Sequence, residues 1–345
     1  MTLVFSATAP TDLNSVAAFL TNGFNSPPDA VFARPDVLRW KYFDPGPQWE
    51  SSRSYVLRQE QKIKAHCGVW PMNLNFRGES VSCICFLDWL SEKDLPGAGV
   101  LLKKKLMRLA DTSVVVGGSA DTRAVVPRIG FQQAGDVTTF ARVVRPWKQF
   151  RTRPQETIGR SAARLLRNTA WSRATGGAVD RGWSITRVGS FDELPEVTNG
   201  SGYPTPWRGS RYLNYWLSTP AAEIAGFVIS LQDHFFGYFL LSKVGGQARI
   251  ADIRLLSEKP ADWANAYRLA ASIAAEDPEV CETLTIASTP LARQALLESG
   301  FRDRGSVPVF FSDPKKKLPH VPPLFLNMID GDGAYLYDAA YPYVT

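Results

Sequence analysis

The chain of 345 residues contains little cysteine and little histidine, four Cys and three His. The cysteines form no C-x-x-C pair, and no histidine stands near enough in sequence to complete a zinc knuckle. No serine lies in a G-x-S-x-G motif. These absences disfavour a metal site and a nucleophilic Ser or Cys hydrolase. We interpret the cysteines as buried, reduced thiols, which suit a cytoplasmic protein. They are Cys67, Cys83, Cys85 and Cys281.

Long hydrophobic runs are also missing. No uncharged apolar stretch approaches the roughly 18 residues that would span a bilayer. The beginning of the chain, residues 1–12, lacks the basic segment and apolar core of a secretory signal. The composition is otherwise that of a folded protein, with 45% hydrophobic and 21% charged residues. At roughly 100–200 residues per domain, this length predicts two domains.

Positive charge is concentrated in one segment, although the net charge of the chain is only +6. Between Arg142 and Arg181 there are ten basic residues and two acidic ones. Three interpretations are open: a solvated linker, peripheral contact with an anionic membrane, and binding of a polyanion. We expect no specific nucleic-acid partner. The membrane interpretation depends on apolar residues that share one helical face, namely Ile158, Ala162, Leu165 and Leu166.

Three short landmarks recur in the same order in both halves of the chain: Leu-x-aromatic-x4-Pro, Leu-Ser-Glu-Lys and Gly-Phe-x3-Gly. The offsets between the copies are 175, 166 and 170 residues. One such match would be a coincidence, but three in order at a near-constant offset predict two copies of one fold. The copies begin at Leu38 and Leu213, Leu90 and Leu256, and Gly130 and Gly300.

The hydrophobic periodicity predicts the same order of elements in each copy. A helix is expected over 13–24, a strongly apolar strand over 79–90 and a helix over 100–110. The order of helices and strands predicts an α/β fold with a central, mixed and mostly antiparallel sheet flanked by helices in each domain. We place the domains at 1–146 and 181–345, joined by a basic linker over 147–180. Near the end, 324–329 is expected to be a strand and 330–333 a plain turn.

The segment after the apolar strand combines glycine with positive charge. Residues 94–99 read Asp-Leu-Pro-Gly-Ala-Gly and precede a helix. Glycines at a helix N-terminus let a ligand approach the backbone, and the amides there favour a phosphate. The spacing matches neither G-x-G-x-x-G nor a P-loop, and a plain Gly-rich turn is the alternative. The basic residues of the helix are expected to face solvent; they are Lys103, Lys104, Lys105 and Arg108.

With this loop in place, the chain resembles the GNAT acyltransferase superfamily in tandem form. The pyrophosphate loop of that family reads Gln/Arg-x-x-Gly-x-Gly/Ala, and residues 94–99 match it except that Asp94 replaces Gln or Arg. The family also places Gly-Phe after its last short helix, as at Gly130 and Gly300. The resemblance implies two GNAT-like domains in tandem, with acetyl-CoA or another acyl-CoA as co-substrate and no metal.

The resemblance also implies roles for particular residues. The backbone of Trp89 and Leu90 would hold the pantetheine and polarise the thioester. Asp88 would be the catalytic base, with a merely solvated strand-end carboxylate as the alternative. The tyrosine that often protonates the leaving thiolate is missing, because 125–128 reads Val-Val-Pro-Arg. The coenzyme pyrophosphate would bind the amides of Gly97, Ala98, Gly99, Val100, Leu101 and Leu102.

The second copy lacks this loop. Residues 260–263 read Pro-Ala-Asp-Trp where the first copy has Pro-Gly-Ala-Gly, so bulk and negative charge would exclude a pyrophosphate. We expect instead that this copy shapes an acceptor pocket, with Tyr212 and Trp216 as substrate-binding residues. A role in the core or in an interface is the alternative for both.

We therefore predict a cytoplasmic, bacterial acyltransferase. It would transfer an acyl group such as acetyl from coenzyme A to an amine or hydroxyl of a small molecule, a sugar or a polysaccharide precursor. Two other classes stay open. Asp94 and the missing tyrosine favour a non-catalytic binding or assembly protein. The basic segment favours an aminoacyl transferase of the tandem peptidoglycan-bridge type, although an evident helical-hairpin insertion is lacking.

Overall fold

The computed structural model describes residues 2–49, 51–152, 158–173, 176–192, 197, 202–318 and 323–345. The first half contains β1 (Val4–Ala7), α1 (Leu13–Gly23), α2 (Pro35–Tyr42), β2 (Ser54–Gln59), β3 (Lys62–Phe76), β4 (Glu79–Ser91), α3 (Ala98–Leu106), β5 (Thr112–Val116), α4 (Ala120–Val125) and β6 (Gln132–Val143). Two helices follow it, α5 (Pro146–Thr152) and α6 (Ile158–Arg173).

The second half repeats this order without a counterpart of α1 in the part that the structure describes. It contains β7 (Trp183–Val188), β8 (Thr205–Pro206), α7 (Ser210–Leu217), β9 (Glu223–Leu231), β10 (His234–Val244), β11 (Gln247–Leu255), α8 (Pro260–Glu276), β12 (Glu282–Ala287), α9 (Pro290–Glu298) and β13 (Arg302–Ser312). The repeated order confirms that the two halves have similar α/β folds.

The helices and strands bury the residues that their periodicity predicts. In α1, Leu13, Val16 and Leu20 recur at helical spacing and are buried. Strand β11 is buried at every position, as expected for a strand that is covered on both faces of a sheet.

The strands form one continuous sheet, in the order β1-β2-β3-β4-β5-β13-β6-β12-β11-β10-β9-β7, with β8 paired to β3. Apart from β8, the order reads the same from both edges when each strand is matched to its counterpart in the other half. Neighbouring strands are mostly antiparallel, and β4–β5 and β11–β12 are parallel. The sheet is therefore mixed and mostly antiparallel in each half, as the sequence predicts.

The two halves exchange their last strands. β13 pairs with β5, where Val309 lies opposite Val116, and β6 pairs with β12, where Ala141 lies opposite Leu284. β6 and β13 also pair with each other at the centre of the sheet. Each half thus depends on a strand from the other. The domain boundaries at 146 and 181 stay a prediction, since the hydrogen bonding runs through the middle of the sheet.

Each half has a place where two parallel strands diverge. β4 pairs with β5 over 83–85 and 112–114, and β4 then continues to Ser91. In the same way β11 pairs with β12 over 247–249 and 282–284 and continues to Leu255. We call these places the first cleft, between β4 and β5, and the second cleft, between β11 and β12.

The apolar run 324–329 is not the strand that the sequence predicts. It is an irregular segment that ends in a short 3-10 turn at Met328–Asp330. The Leu326 amide donates a hydrogen bond to Ser288 Oγ at 2.8 Å, so a side chain replaces the usual strand partner. A buried irregular segment and a buried strand have the same apolar composition, and periodicity could not separate them. The turn predicted at 330–333 is confirmed.

The basic segment holds α5 and α6, while 153–157 and 174–175 lie outside the described residues. Its first arginines have structural roles. The Arg145 guanidinium donates to three backbone oxygens at the end of α8 and just beyond it, at 2.6 to 2.7 Å. A cation at this position stabilises the C-terminal end of a helix. The acceptor oxygens belong to Ala275, Asp277 and Val280.

Candidate functional site

A cavity of about 560 Å³ lies at the first cleft. The ends of β4 and β5 and the beginning of α4 form one side of it, and β12 with residues 326–336 forms much of the other. Leu87, Val115 and Met328 contribute to an apolar wall. A concave, mostly apolar space with a few charged groups is typical of a ligand site. The charged residues at its wall are Asp88, Lys103, Arg249, Asp330 and Asp332.

The N-terminus of α3 is open to a ligand at Gly97. This residue has a φ of +86°, and a Cβ placed on it would meet nothing within 4 Å. Helical bonding begins where the Leu101 amide donates to the Gly97 oxygen at 2.9 Å. The first amides of a helix have no helical acceptor, so they are available to an anion. Gly97 therefore has the geometry that the pyrophosphate prediction requires.

Gly99 has a different reason to be glycine. A Cβ there would lie 3.0 Å from Nε1 of Trp89, and the Trp89 indole donates to the Gly99 oxygen at 2.9 Å. Gly99 thus lets α3 pack closely against β4, and Trp89 fixes that packing. The other residues of the predicted cradle offer a ligand mainly their backbone, because Ala98 and Leu102 are buried in the core.

Three further residues of the predicted cradle differ in exposure. Leu90 pairs with His66 across β3 and β4 and is partly buried. Val100 is also partly buried, whereas Leu101 is 42% exposed at the surface of α3. Their placement is compatible with backbone contacts to a coenzyme and does not test them.

Asp94 lies shortly before α3 in the chain and shares the cation Lys64 with Glu92. Its side chain is 65% exposed, and Lys64 Nζ lies 3.0 Å from its carboxylate. Lys64 also pairs with Glu92. The hydrogen bond from Lys64 holds the pKa of Asp94 below its ordinary value. The carboxylate is therefore ionised, but its repulsion of a phosphate is weakened by the lysine.

Asp88 faces the cavity in a tightly paired state. Its carboxylate accepts hydrogen bonds from Lys41 Nζ and Tyr42 Oη, both from α2. Burial would raise the pKa of Asp88, but the charge of Lys41 and these two hydrogen bonds outweigh burial and hold the pKa below its ordinary value. A carboxylate so paired is a weak base. Its catalytic role stays a prediction.

His66 supports the backbone of Asp88. Its Nδ1 lies 3.0 Å from the Asp88 oxygen, and its Nε2 lies 2.9 Å from Ser54 Oγ. Burial lowers the pKa of His66 to about 4, so the ring is neutral at neutral pH. Asp88 has a φ of +47°, which is uncommon for a residue with a side chain. The histidine therefore helps to hold the backbone conformation that directs Asp88 toward α2.

A second carboxylate, Asp332, enters the cavity from the C-terminal segment. That segment is clamped on both sides of it. Arg208 Nη2 donates to Asp330 at 2.6 Å, and Arg208 Nε donates to Asp252 at 3.0 Å. On the other side, Arg249 Nη1 donates to the Gly333 oxygen at 2.8 Å. Asp332 thus occupies a fixed position although it belongs to a turn.

The surroundings of Asp332 favour its protonated form. Burial raises its pKa above the ordinary value, Lys41 partly offsets this, and the charge of Asp88 adds to it. Asp332 is therefore a stronger base than Asp88 when ionised. Its role is not apparent from the sequence, because 330–333 has the composition of a plain turn. The only signal was the pair of acids directly after a buried apolar run.

Lys103 is buried, contrary to the solvated position that the sequence predicts. It falls at helical spacing with Gly99, Leu102 and Leu106, on the face of α3 that packs on the sheet. Its ammonium has no hydrogen-bond partner among the described residues. Burial lowers its pKa to about 8. The other three basic residues are exposed as expected; they are Lys104, Lys105 and Arg108.

The two aromatic residues expected to bind the acceptor lie in the core between the halves. Tyr212 is 2% exposed and Trp216 is fully buried. The Trp70 indole donates to Tyr212 Oη at 3.0 Å, and the rings of Trp216 and Trp40 have centroids 5.1 Å apart. Neither Tyr212 nor Trp216 lines the large cavity. The structure places them where they join α7 to the first half, and large buried aromatic rings commonly have this role.

The second cleft is filled by the C-terminal segment. The Phe325 ring packs on Trp263, with centroids 5.6 Å apart, and on the Arg254 guanidinium, 4.4 Å from the ring centroid. Asn327 Nδ2 donates to Asp252 Oδ1 at 2.7 Å. Helix α8 begins with Pro260 after Lys259 and has no glycine at its first turn. The segment thus occupies the second cleft and reaches the cavity of the first.

The four cysteines are buried and form no disulfide, so they remain thiols. Burial raises the pKa of Cys67 and of Cys83 to about 12. Among the described residues no group of His, Cys, Asp and Glu has the arrangement of a metal site.

Comparison with solved structures identifies the same fold in GNAT proteins. The chain is similar to N-myristoyltransferase from Saccharomyces cerevisiae with bound myristoyl-CoA, at a TM-score of 0.59 and 13% identity over 90% of this chain and 80% of the other. It is also similar to a GCN5-related N-acetyltransferase from Anabaena variabilis, at 0.58 and 12% over 90% and 72%. A conserved Enterococcus faecalis protein described as a probable N-acyltransferase gives 0.55 and 14% over 90% and 72%. The tandem GNAT-like fold implied by the sequence is confirmed.

Sequence comparison alone finds no counterpart: no family model and no curated protein matches. None of the described helices has both the length and the apolar character to cross a bilayer.

Proposed function

We propose that the protein is an acyltransferase that uses an acyl-CoA at the first cleft. The observation that carries this proposal is the cavity of about 560 Å³, whose wall residue Trp89 is hydrogen-bonded to Gly99 at the glycine-opened N-terminus of α3. A pyrophosphate needs free amides and space without side chains, and Gly97 supplies both. The likeness in fold to an enzyme with bound myristoyl-CoA supports the same co-substrate.

The coenzyme would bind along the surface of α3 and enter between β4 and β5. Within the predicted cradle Gly97 to Leu102, the amides of Ala98 and Leu101 already donate to backbone oxygens, so those of Gly97, Gly99 and Val100 would take the pyrophosphate. The exposed Lys104 and Lys105 lie on the same helix for further phosphates. The backbone of Trp89 and Leu90 would hold the pantetheine. The thioester would then lie in the cavity, where backbone amides polarise its carbonyl.

Asp332 would act as the base, and Asp88 would position it. A carboxylate with a raised pKa can take a proton from an attacking amine and then release the proton to water. Asp88 cannot do this as readily because Lys41 and Tyr42 hold it ionised and paired. Its charge nevertheless raises the pKa of Asp332. The sequence predicts Asp88 as the base; in this proposal Asp332 takes the proton instead, and Asp88 acts on it through its charge.

The position of Asp332 favours an amine as acceptor, although the cations Lys103 and Arg249 also line the cavity. Asp88 is paired with Lys41, and Asp330 is paired with Arg208. Asp332 is the remaining carboxylate at the wall, and it would attract a protonated amine and then deprotonate it. A neutral hydroxyl gains no such attraction. Within the predicted class of acceptors, we therefore propose an amine such as that of an amino sugar.

The test is release of the coenzyme thiol from acetyl-, decanoyl- and myristoyl-CoA in the presence of an amine panel. We expect release with at least one donor, and faster release with glucosamine or a simple alkyl amine than with the matched alcohol. Absence of release with every pair would contradict the proposal. Binding of acyl-CoA without release would favour the non-catalytic class. Transfer that occurs only from an aminoacyl-tRNA would favour the third class.

We also propose that α5 and α6 contact an anionic membrane surface. Trp147, Phe150 and Leu166 are 61%, 42% and 74% exposed, an unusual concentration of apolar surface. Arg151 and Arg160 are exposed on the same two helices. Apolar side chains beside arginines fit the interface of an anionic leaflet, which agrees with the cytoplasmic location proposed from the sequence.

Vesicle sedimentation tests the membrane proposal. The intact protein should bind vesicles that contain phosphatidylserine and should not bind neutral ones. Changing Leu166 to Ser should weaken this binding severalfold, because an exposed apolar contact is lost. Leu297→Ser is the matched control, since Leu297 is 53% exposed on α9 in the second half. Equal binding of both variants would contradict the assignment of the surface.

A further inference from the structure

Lys103 is a cation without a counter-ion at the wall of the cavity. Its side chain is fully buried, it lines the cavity, and its ammonium has no hydrogen-bond partner among the described residues. Removing a charge from water costs several kcal/mol unless another charge compensates it. A buried, unpaired cation of this kind therefore does not serve stability, and it is suited to an anion that forms only during a reaction.

Aromatic rings hold the ammonium in place. It lies 3.8 Å from the centroid of the Trp89 ring, 4.7 Å from that of Phe86 and 5.5 Å from that of Phe131. Trp89 is itself fixed by its hydrogen bond to the Gly99 oxygen. The Lys103 ammonium therefore contacts the end of β4, the strand end that would hold the pantetheine. Cation–π contacts orient a cation without neutralising it, and the full charge remains available.

The chain also lacks a tyrosine where one often protonates the leaving thiolate. Position 126, in the stretch before Gly130, is Val, and it is buried in the same apolar cluster as Phe86 and Phe131. Lys103 lies against that cluster from α3. The missing donor and the unexplained cation are therefore on the same side of the sheet.

We infer that Lys103 is the general acid of this site: its ammonium stabilises the thiolate of coenzyme A as the carbon–sulfur bond breaks and gives the thiolate a proton. This inference rests on the proposed acyltransferase function. The tetrahedral adduct collapses, the electron pair of the carbon–sulfur bond goes to sulfur, and the proton moves from Lys103 Nζ to sulfur. Lys103, now a neutral amine, then regains a proton from water before the next turnover.

The titratable groups that face Lys103 are weaker acids than its ammonium, so they do not replace it as the general acid. They are the thiols of Cys67 on β3 and Cys85 on β4. Burial raises the pKa of both, so both are neutral at neutral pH. Burial lowers the pKa of Lys103 to about 8, close to the pKa of ~8.5 that an alkyl thiol has in water. A proton is transferred most efficiently between groups of similar pKa near the working pH.

The experiment measures the ionisation of the thiol of bound coenzyme A, which needs neither an acceptor nor turnover. Thiolates absorb far-ultraviolet light that thiols do not, so the difference in absorbance between the complex and the free protein during a pH titration gives the pKa of the bound thiol. In the natural protein we expect this pKa to lie about one unit or more below that of free coenzyme A, because a cation lies beside the sulfur. Lys103→Met should abolish the shift, and Lys62→Met, at an exposed lysine of β3, should keep it.

A kinetic measurement separates the acid from a purely structural residue. Lys103→Met should lower kcat for the best donor and amine by about 100-fold or more, with little change in the affinity for coenzyme A. The natural protein should lose activity as the pH rises through about 8, where Lys103 loses its proton, and the variant should not show this loss. Lys103→Arg should keep the lowered pKa of the bound thiol but recover little of kcat, because arginine does not release its proton.

Each outcome decides the inference. An unshifted thiol pKa in the natural protein, or an equal shift in Lys103→Met, would overturn the role of Lys103 and leave the proposed function in place. Failure of the natural protein to bind coenzyme A would overturn the proposed function and this inference with it. Removal of an unpaired buried charge should not lower the melting temperature. If both Lys103→Met and Lys103→Leu failed to fold, Lys103 would have a structural role and the inference would be wrong.

Discussion

The two halves of this molecule have the same fold and differ most where their parallel strands diverge. In the first half the space between β4 and β5 is a cavity that charged residues line. In the second half the corresponding space between β11 and β12 holds the Phe325 ring and the segment around it. One copy of the fold therefore keeps an open cleft, and in the other the cleft holds a part of the chain.

Different charged residues near the ends of β4 and β11 explain this difference. They are Asp88 in the first half and Arg254 in the second. Asp88 pairs with Lys41 and leaves the cavity open, whereas Arg254 packs on Phe325 and closes the cleft. The filled cleft is not merely inactive. It anchors the segment that brings Asp332 to the first cavity, so the second half contributes to the wall of that cavity.

The largest expected effect breaks this dependence of one half on the other. Asp332→Asn should lower kcat by about 100- to 10,000-fold, because the amide cannot accept the proton of the attacking amine. The affinity for acyl-CoA should change little, since the backbone of α3 rather than Asp332 would bind the pyrophosphate. Steady-state kinetics with calorimetric binding would measure both. Asp338→Asn is the matched control, an exposed aspartate of the same segment. Equal kcat in both variants would contradict the contribution of the second half.

The ion pair between Lys41 and Asp88 at the first cleft should contribute measurably to the free energy of unfolding. Lys41→Met leaves Asp88 buried without its cation and should lower the free energy of unfolding by about 3–5 kcal/mol at pH 7. The pKa of Asp88 is lowered in the folded state, so the stabilisation is fully present above its ordinary value of 3.8 and is lost as pH falls through the lower, folded value. The difference from the natural protein should therefore shrink in acid.

Urea unfolding at several pH values measures this difference. The matched control is Lys62→Met, since Lys62 is an exposed lysine on β3. A difference between Lys41→Met and the natural protein that stayed constant down to strongly acidic pH would show that Asp88 is not held ionised by Lys41.

Emptying the second cleft would sharpen the comparison. Phe325→Ala should lower the free energy of unfolding by about 3–5 kcal/mol, because a large ring is removed from a packed space. It should not create a second site for coenzyme A, since α8 has no glycine at its N-terminus. Phe150→Ala, at a ring that is 42% exposed, is the control for loss of a phenyl group. Tight binding of two acyl-CoA molecules by Phe325→Ala would show that the halves differ in coenzyme binding only because the second cleft is filled.

The smallest effect concerns the rim of the first cleft. Asp94→Asn removes a negative charge near the proposed pyrophosphate site and should tighten binding of acyl-CoA about two- to fivefold at low salt. The gain is small because Lys64 already shares its charge with Asp94. Added salt should reduce the difference. Asp29→Asn, at an exposed residue elsewhere in the first half, should leave the affinity unchanged.

The sequence predicted the parts of the fold that depend on local pattern. The repeated landmarks indicated two copies, the apolar periodicity gave α1, and residues 94–99 located the N-terminus of α3. Two residues were placed wrongly or missed, each for its own physical reason. Lys103 was expected in solvent because charge usually is, but its helical phase with Leu102 and Leu106 puts it on the buried face. Asp332 was missed because its position depends on Arg208 and Arg249, far away in sequence.

The exchange of β6 and β13 could not be predicted from either half alone. A strand that completes its own half and one that completes the other have the same alternating pattern, so the choice depends on contacts between distant segments. Tyr212 and Trp216 illustrate the same limit. Large aromatic rings are as frequent in cores as in binding sites, and their burial against Trp40 and Trp70 decides between the two.

The most direct test of the account is a calorimetric titration of the intact protein with acyl-CoA, which counts the sites. We predict one site per chain. Gly97→Asp should abolish binding, since it places a charged side chain in the open space at the N-terminus of α3. Ala261→Asp, at the exposed matching position of α8, should leave it unchanged. Two equivalent sites, no site, or full binding by Gly97→Asp would contradict the claim that only the first cleft receives the coenzyme.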